Sequence, residues 1–365
     1  MKSSIVMVAV AACCAAPLAR AQSVTIYGIA DLAVERLNNV APSGSSLYRM
    51  PGLAGSVPAR LGFRGSEDLG DGLRAVFTLE QGMGLDAGSF NQGGRAFGRQ
   101  AFVGLSGSWG SLTFGRQYTM LFWSLIDADI LGPNVYGIAS LDNYLPNARV
   151  DNSVAYRGSF SGLTVGATYS VGRDTVNAGP SPAGTNCAGE NGADSQACRE
   201  WSVLAKYDAP SWGVALAVDQ LHGGAGAFAG LTSSAMKDTR TSLNGYLKFG
   251  DAKIGAGVIH RKNDASAATP KSDLVYLGAA YPVTPLFILD GELAQLKFMD
   301  SANKARLFAL RGTYLFSKRT ALYATAGRIA NDGTLALSAS GAAAGGNPAA
   351  GTSQLGFATG IRHSF

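Results

Sequence analysis

Most of this chain consists of short runs in which apolar and polar residues alternate, separated by glycine-rich breaks. In one such run, Leu243 and Leu247 alternate with Ser242, Asn244 and Lys248. A period of two gives a β-strand one apolar face and one polar face. Few helical patterns accompany these runs, so the chain is predicted to be all-β. About sixteen runs predict strands at residues 23–33, 58–68, 73–82, 97–107, 111–118, 149–158, 163–172, 200–208, 213–221, 239–249, 253–262, 273–281, 286–297, 305–316, 320–330 and 353–365.

Alternation alone fits either a secreted β-sandwich or a β-barrel of the outer membrane. Strand length favours the barrel, because the runs are about ten residues long, as a tilted membrane strand requires. The connections also alternate between short and long, as periplasmic turns and external loops do. The chain then ends on a strand. The long connections are residues 36–57, 83–96, 119–148, 173–199, 223–237, 263–272 and 332–352.

We therefore predict one transmembrane antiparallel β-barrel over residues 22–365. Closure pairs every backbone donor and acceptor inside lipid, which an open sheet cannot do. A barrel of about sixteen strands encloses water rather than a packed core.

The third long connection, residues 119–148, departs from the strand pattern. It is longer than most loops of a compact domain. It also carries many large apolar side chains, with Asp127, Asp129 and Asp142 as its only charges. So many apolar side chains are poorly placed in bulk water. We expect this segment to fold inward, into the lumen that the strands enclose.

The amino terminus predicts a secretory signal peptide over residues 1–21, with cleavage between Ala21 and Gln22. A looser match to a lipoprotein processing site would instead leave Cys13 lipidated. The formal net charge of +5 falls to +3 when the peptide takes Lys2 and Arg20 with it. That bias is too mild to predict a nucleic-acid partner.

Two cysteines, Cys187 and Cys198, remain in the mature chain, both in a long connection rich in glycine and alanine. Because an exported protein meets an oxidising compartment, we predict a disulfide between them. The three histidines, His222, His260 and His363, lie on separate runs without metal-ligand spacing. No metal, cofactor or catalytic group is therefore predicted.

Two other functions compete with that of an open channel. A hydrolase needs a nucleophile, a base and an orienting group within reach of one another. His363 and Ser364 are adjacent on one strand and point to opposite faces, which disfavours an enzyme. A structural barrel with a plugged lumen stays open as an alternative, and it would conduct no ions in a planar bilayer.

Arginines on the predicted strands indicate charge in the lumen. Arg60 and Arg64 alternate with Leu61 and Phe63. On the lipid face, each arginine would cost roughly 2–4 kcal/mol near the membrane midplane. The same parity that directs the apolar pair to lipid directs both arginines to the lumen.

Several motifs together resemble the Gram-negative general-diffusion porins, in their β-proteobacterial and often anion-preferring branch. The similarity runs from Gln22 to Phe365. The motifs lie at residues 23–31, 59–70, 97–105, 115–118, 152–156, 317–320 and 360–365. The resemblance implies a homotrimer in outer-membrane lipid and lipopolysaccharide, passing ions and small hydrophilic solutes. It also implies a third loop that narrows the pore and a terminal Phe365 read by the barrel-assembly machinery.

The resemblance and the strand parity together predict a charged constriction. Its basic side comprises Arg60, Arg64, Arg99 and Arg149, and its acidic side comprises Asp127, Asp129 and Glu80. The family's Pro-Glu-Phe-Gly-like turn is absent from the third loop. Asp127 and Asp129 are therefore assigned to the acidic side only by their approximate position in the loop. Simple alternation puts Arg116 with Leu112 and Phe114, unless a bulge or a subunit contact redirects it.

Overall fold

Eighteen β-strands form one sheet in the computed structural model, which describes residues 23–132, 135–174, 187–225, 227 and 230–365. The predicted signal peptide and its cleavage site, including Cys13, lie outside the described residues. The strands are β1 (Ser23–Val40), β2 (Ser45–Arg49), β3 (Arg60–Gly70), β4 (Leu73–Gly84), β5 (Ser89–Phe90), β6 (Gln100–Gly107), β7 (Gly110–Tyr118), β8 (Arg149–Phe160), β9 (Leu163–Ser170), β10 (Glu200–Asp208), β11 (Trp212–His222), β12 (Lys237–Phe249), β13 (Ala252–Asn263), β14 (Lys271–Thr284), β15 (Phe287–Phe298), β16 (Lys304–Leu315), β17 (Thr320–Asp332) and β18 (Ser353–Ser364). The helical elements are α1 (Asn91–Gly94), α2 (Met120–Leu125) and two 3-10 turns at Ile138–Ser140 and Leu145–Asn147.

The sheet closes on itself through its first strand. Residues 23–29 of β1 pair with β3, and residues 29–37 of the same strand pair with β18. All described pairings are antiparallel, and β2 and β5 are short additions paired with β1 and β4. The other sixteen strands form a closed wall, which confirms the predicted barrel. Each of these sixteen strands pairs with a neighbour on both sides, as a sheet inside lipid requires.

Side-chain polarity is reversed relative to a water-soluble protein. On β12, Leu243 and Leu247 are about half exposed, whereas Ser242 and Asn244 between and beside them are buried. The same alternation places Leu293 outward and Glu292 inward on β15. An outward apolar band around a polar interior is the arrangement of a membrane barrel. None of the helices in the described residues is long and apolar enough to cross a membrane.

The first hairpin differs from the prediction. β1 continues to Val40, seven residues beyond the predicted end, and turns back into β2 within the expected loop at 36–57. The hairpin is held by an ion pair between Arg49 Nε and buried Glu35 Oε2 at 2.6 Å. From the sequence, the charged residues of this hairpin predict a loop, because their pairing across the hairpin cannot be seen in the local pattern.

The 119–148 segment connects β7 to β8, and its described residues pack against inward-facing side chains of the wall. Leu121, Leu125 and Ile138 belong to one buried cluster with inward residues of β13–β18. A Cβ at Gly255 would lie 2.0 Å from the carbonyl oxygen of Ala128, so only glycine permits this approach. Residues 339 and 342 of the last long loop are buried in the same cluster.

Candidate functional site

A cluster of arginines surrounds Glu80 and Tyr118 where the 119–148 segment leaves the wall. Arg99 Nε donates to Glu80 Oε1 at 2.7 Å, and its Nη2 donates to the Tyr118 hydroxyl at 2.7 Å. Arg149 Nη2 donates to the same hydroxyl at 2.9 Å, and its guanidinium lies 4.4 Å from the centre of the Tyr118 ring. Glu80 lies on β4, Tyr118 ends β7 and Arg149 begins β8, whereas Arg99 immediately precedes β6. All four side chains are buried.

Arg60 completes this cluster. Its side chain is mostly buried, and its Nε has no hydrogen-bond partner. Its guanidinium interacts electrostatically with the charges of Arg99 and Glu80. We call Arg60, Arg99, Arg149, Glu80 and Tyr118 the arginine cluster. Three arginines and one glutamate leave the cluster a formal surplus of two positive charges.

Arg64 lies four residues after Arg60 on β3, outside the arginine cluster. It is exposed to solvent and stacks over the Tyr27 ring at 5.3 Å. The Tyr27 hydroxyl in turn donates to Glu80 Oε2 at 3.0 Å. Both Arg60 and Arg64 therefore lie on the inner face, as the parity of β3 predicts.

A bulge explains Arg116. The pairing of β7 with β8 shifts register between Gly115 and Gln117, and Gly115 has a φ of +127°. The shift turns Arg116 inward, where Nη1 meets Asp151 Oδ1 at 2.6 Å. Arg95 lies beside it, 2.9 Å from Asp151 Oδ2. Arg95 also binds Asp174 at 3.0 Å, so these two arginines and two aspartates are formally neutral.

The two loop aspartates have partners other than the predicted arginines. Asp127 Oδ2 lies 2.5 Å from Lys206 Nζ on β10. Asp129 is buried, accepts from the Gly132 backbone N–H at 3.1 Å, and lies beside Glu292 of β15. Burial raises the pKa of Asp129 to about 6. The course of the segment carries both acids to strands other than those that bear the arginine cluster, so Glu80 is the predicted acid that meets it.

A third loop aspartate anchors the segment, and the sequence reasoning did not assign it a role. Asp142 accepts from Arg240 Nε at 2.7 Å and from Nη2 at 3.1 Å. Arg240 is fully buried, also binds Asp238 at 3.0 Å, and lies 4.4 Å from the centre of the Tyr144 ring. Burial raises the pKa of Asp142, but Arg240 and Arg261 outweigh burial and hold it at about 2. The alternation of β12 predicts that Arg240 points inward, but it does not predict that Asp142 is its partner.

The predicted disulfide is present. Cys187 and Cys198 are bonded, with Cα atoms 5.2 Å apart, and are buried against Ala197 and Ala227. At the carboxyl terminus, the Phe365 backbone exchanges two 3.0 Å hydrogen bonds with Gly28 of β1. Within the described part of the chain, no three metal-ligating side chains come together.

Comparison with known proteins gives consistent matches. A model of the family described as Gram-negative porin matches residues 7–334. Outer membrane porin protein 32 of Delftia acidovorans is 32% identical, with 100% of both chains covered. An outer membrane porin protein of Bordetella pertussis is 31% identical over 89% of this chain and 93% of its own.

Two solved structures extend the comparison. An anion-selective porin from Comamonas acidovorans is 27% identical, with a TM-score of 0.76 over 94% of this chain and all of the other. A trimer form of the outer membrane protein OmpT of Vibrio cholerae has a TM-score of 0.65 over 94% of this chain and all of the other. At 19% identity, this second likeness shows the fold alone.

Proposed function

The chain belongs to the Gram-negative porin family, and we propose that its channel passes anions in preference to cations. As a porin, it resides in the outer membrane of a Gram-negative bacterium and serves as a diffusion channel rather than an enzyme. The preference for anions, the inward role of the third loop, the partners and the site residues are the proposed part.

The arginine cluster is the observation that carries the proposal. Arg60, Arg99 and Arg149 face a single carboxylate, Glu80, which Arg99 already binds at 2.7 Å. Fixed charges lining a narrow passage lower the electrostatic barrier for ions of opposite sign. The surplus of positive charge therefore favours anions. The anion-selective porin from Comamonas acidovorans, to which the chain is similar, points the same way.

We further propose that residues 119–148 narrow the lumen beside the arginine cluster. Two contacts support this course, the Asp142–Arg240 ion pair and the close approach of Ala128 to Gly255. Arg149 Nη1 also donates to the carbonyl oxygen of Pro146 at 3.1 Å, so the segment lies directly against the arginine cluster. Ions and small solutes would then pass close to the arginines, where the field of the cluster is strongest.

Assembly and export complete the proposal. Three copies are expected to associate, as in the trimer form of the Vibrio structure. Outer-membrane lipid and lipopolysaccharide would surround the outward apolar band. Phe365, the last residue of the barrel, is the expected signal for the assembly machinery. Export would require the predicted signal peptide at residues 1–21.

Ion substitution in a planar bilayer tests the proposed function. Purified protein should give stepwise openings in potassium chloride. Replacing chloride by the larger gluconate should lower the conductance more than replacing potassium by an equally bulky organic cation. The absence of openings would favour the plugged-barrel alternative. A larger loss on replacing potassium would contradict the anion preference.

A further inference from the structure

A cavity of about 450 Å³ lies between the start of the 119–148 segment and strands β1, β3, β4, β6, β7 and β8. Its volume falls within the roughly 300–1,000 Å³ of small-molecule sites. Its wall is formed by inward residues of these strands and by Tyr118, Met120 and Trp123 of the segment and its approach. Among the described residues that line it, the only charged ones are Arg64 and Arg157.

Arg157 is held in place by an aromatic ring. Its guanidinium lies 3.8 Å from the centre of the Trp123 ring, and no ion pair involves it within the described part of the chain. Stacking uses the flat face of a guanidinium and leaves the N–H groups in its plane available. These N–H groups match the two oxygens of a carboxylate. Arg157 is therefore a fixed cationic donor without a protein acid competing for it.

Aromatic rings link this cavity to the arginine cluster. Tyr118, which accepts hydrogen bonds from Arg99 and Arg149, stacks on Phe122 at 3.8 Å. Trp123 meets Tyr118 edge-on at 5.8 Å. Tyr118 belongs to the arginine cluster and also lines the cavity, so the two are adjacent.

We propose that this cavity is a transit subsite for small aromatic monocarboxylates. The carboxylate binds the in-plane N–H groups of Arg157, and the ring packs beside Trp123 and Phe102, which also lines the cavity. An aliphatic carboxylate gains the charge contact without the ring contact, and a neutral aromatic gains only the ring contact. This inference rests on the proposed function, because it names a solute class for the same channel.

Equilibrium dialysis of radiolabelled benzoate against the folded full-length barrel in detergent tests the subsite. The parent should bind benzoate saturably and more tightly than acetate or benzamide. Arg157→Gln should weaken benzoate binding roughly tenfold or more, because a charge-assisted hydrogen bond is lost. Trp123→Leu should bring benzoate and acetate close to equal affinity. Arg328→Gln, on the outward face of β17, is the matched control and should change nothing.

Inhibition of chloride current by added benzoate gives a second measurement on the same variants. Equal affinity of the parent for benzoate and acetate would overturn the subsite, as would an unchanged affinity in Arg157→Gln. Should Arg157→Gln not fold, Trp123→Leu decides between the outcomes. The absence of channels would refute the proposed function, whereas anion-preferring channels that do not distinguish benzoate from acetate would refute only this inference.

Discussion

Anion preference should follow the net charge of the arginine cluster in equal steps. The cluster has a formal surplus of two positive charges. Arg60→Gln reduces that surplus to one, and Arg60→Gln with Arg99→Gln reduces it to zero. Glu80→Gln raises it to three. Glu80→Gln keeps the length of the side chain, whereas Arg→Gln shortens it but keeps a polar group on the wall.

The magnitude follows from the linearity of electrostatic energy in the fixed charge. Each unit of cluster charge lowers the energy of a passing anion and raises that of a cation by the same amount. The logarithm of the chloride-to-potassium permeability ratio should therefore scale with the surplus. Glu80→Gln should raise this logarithm by about half, Arg60→Gln should halve it, and the double variant should bring it near zero.

The assay is the zero-current potential of each variant in a tenfold gradient of potassium chloride. Mean salt should be low, because the Debye length falls from about 10 Å at 0.1 M to about 3 Å at 1 M. Arg328→Gln, which removes a positive charge from the outward face, is the control and should match the parent. An unchanged potential in Arg60→Gln, or a lower anion preference in Glu80→Gln, would refute the reasoning.

Three further predictions concern how the loops are held. Asp142→Ala leaves Arg240 with one fewer buried acid, which should destabilise the loop contact by roughly 1–3 kcal/mol and increase fluctuations of the open-channel current. Because the pKa of Asp142 is about 2, this contact should persist at pH 4 and weaken as the pH falls through about 2. Fluctuations of the parent current should therefore not increase at pH 4. The pKa of Asp129 is raised to about 6, because the folded loop disfavours the charged carboxylate. Protonation as the pH falls from 8 to 5 should therefore stabilise the loop and decrease current fluctuations, and Asp129→Asn should abolish this trend. Reducing the Cys187–Cys198 disulfide removes a constraint of roughly 3 kcal/mol on its loop; protease sensitivity of the loop should rise while conductance is unchanged, and loss of conductance would contradict the assignment.

The strands were predictable from the sequence because lipid and water impose opposite demands on alternate residues. Fifteen of the sixteen wall strands start and end within about three residues of the predicted positions. β1 is the exception, since its hairpin with β2 depends on a cross-strand pair between Glu35 and Arg49. Parity likewise predicts the inward placement of Arg60. It fails for Arg116, because a one-residue bulge reverses the face of every residue that follows.

The partners of loop residues could not be predicted. Asp127, Asp129 and Asp142 lie within sixteen residues of one another, yet they contact three different strands, β10, β15 and β12. Their partners are set by the conformation of the segment, and no periodic pattern encodes that conformation. The resemblance to a family implies where the segment lies only in general terms and assigns no individual ion pairs.

The zero-current potential of the unmodified channel tests the central claim most directly. Protein in a planar bilayer would separate 0.1 M from 0.01 M potassium chloride, at which the Debye length is about 10–30 Å. The surplus charge of Arg60, Arg99 and Arg149 over Glu80 predicts a potential displaced toward the chloride equilibrium value. Raising both solutions tenfold should shrink that displacement. A potential displaced toward the potassium equilibrium value, or one unaffected by salt, would contradict the account.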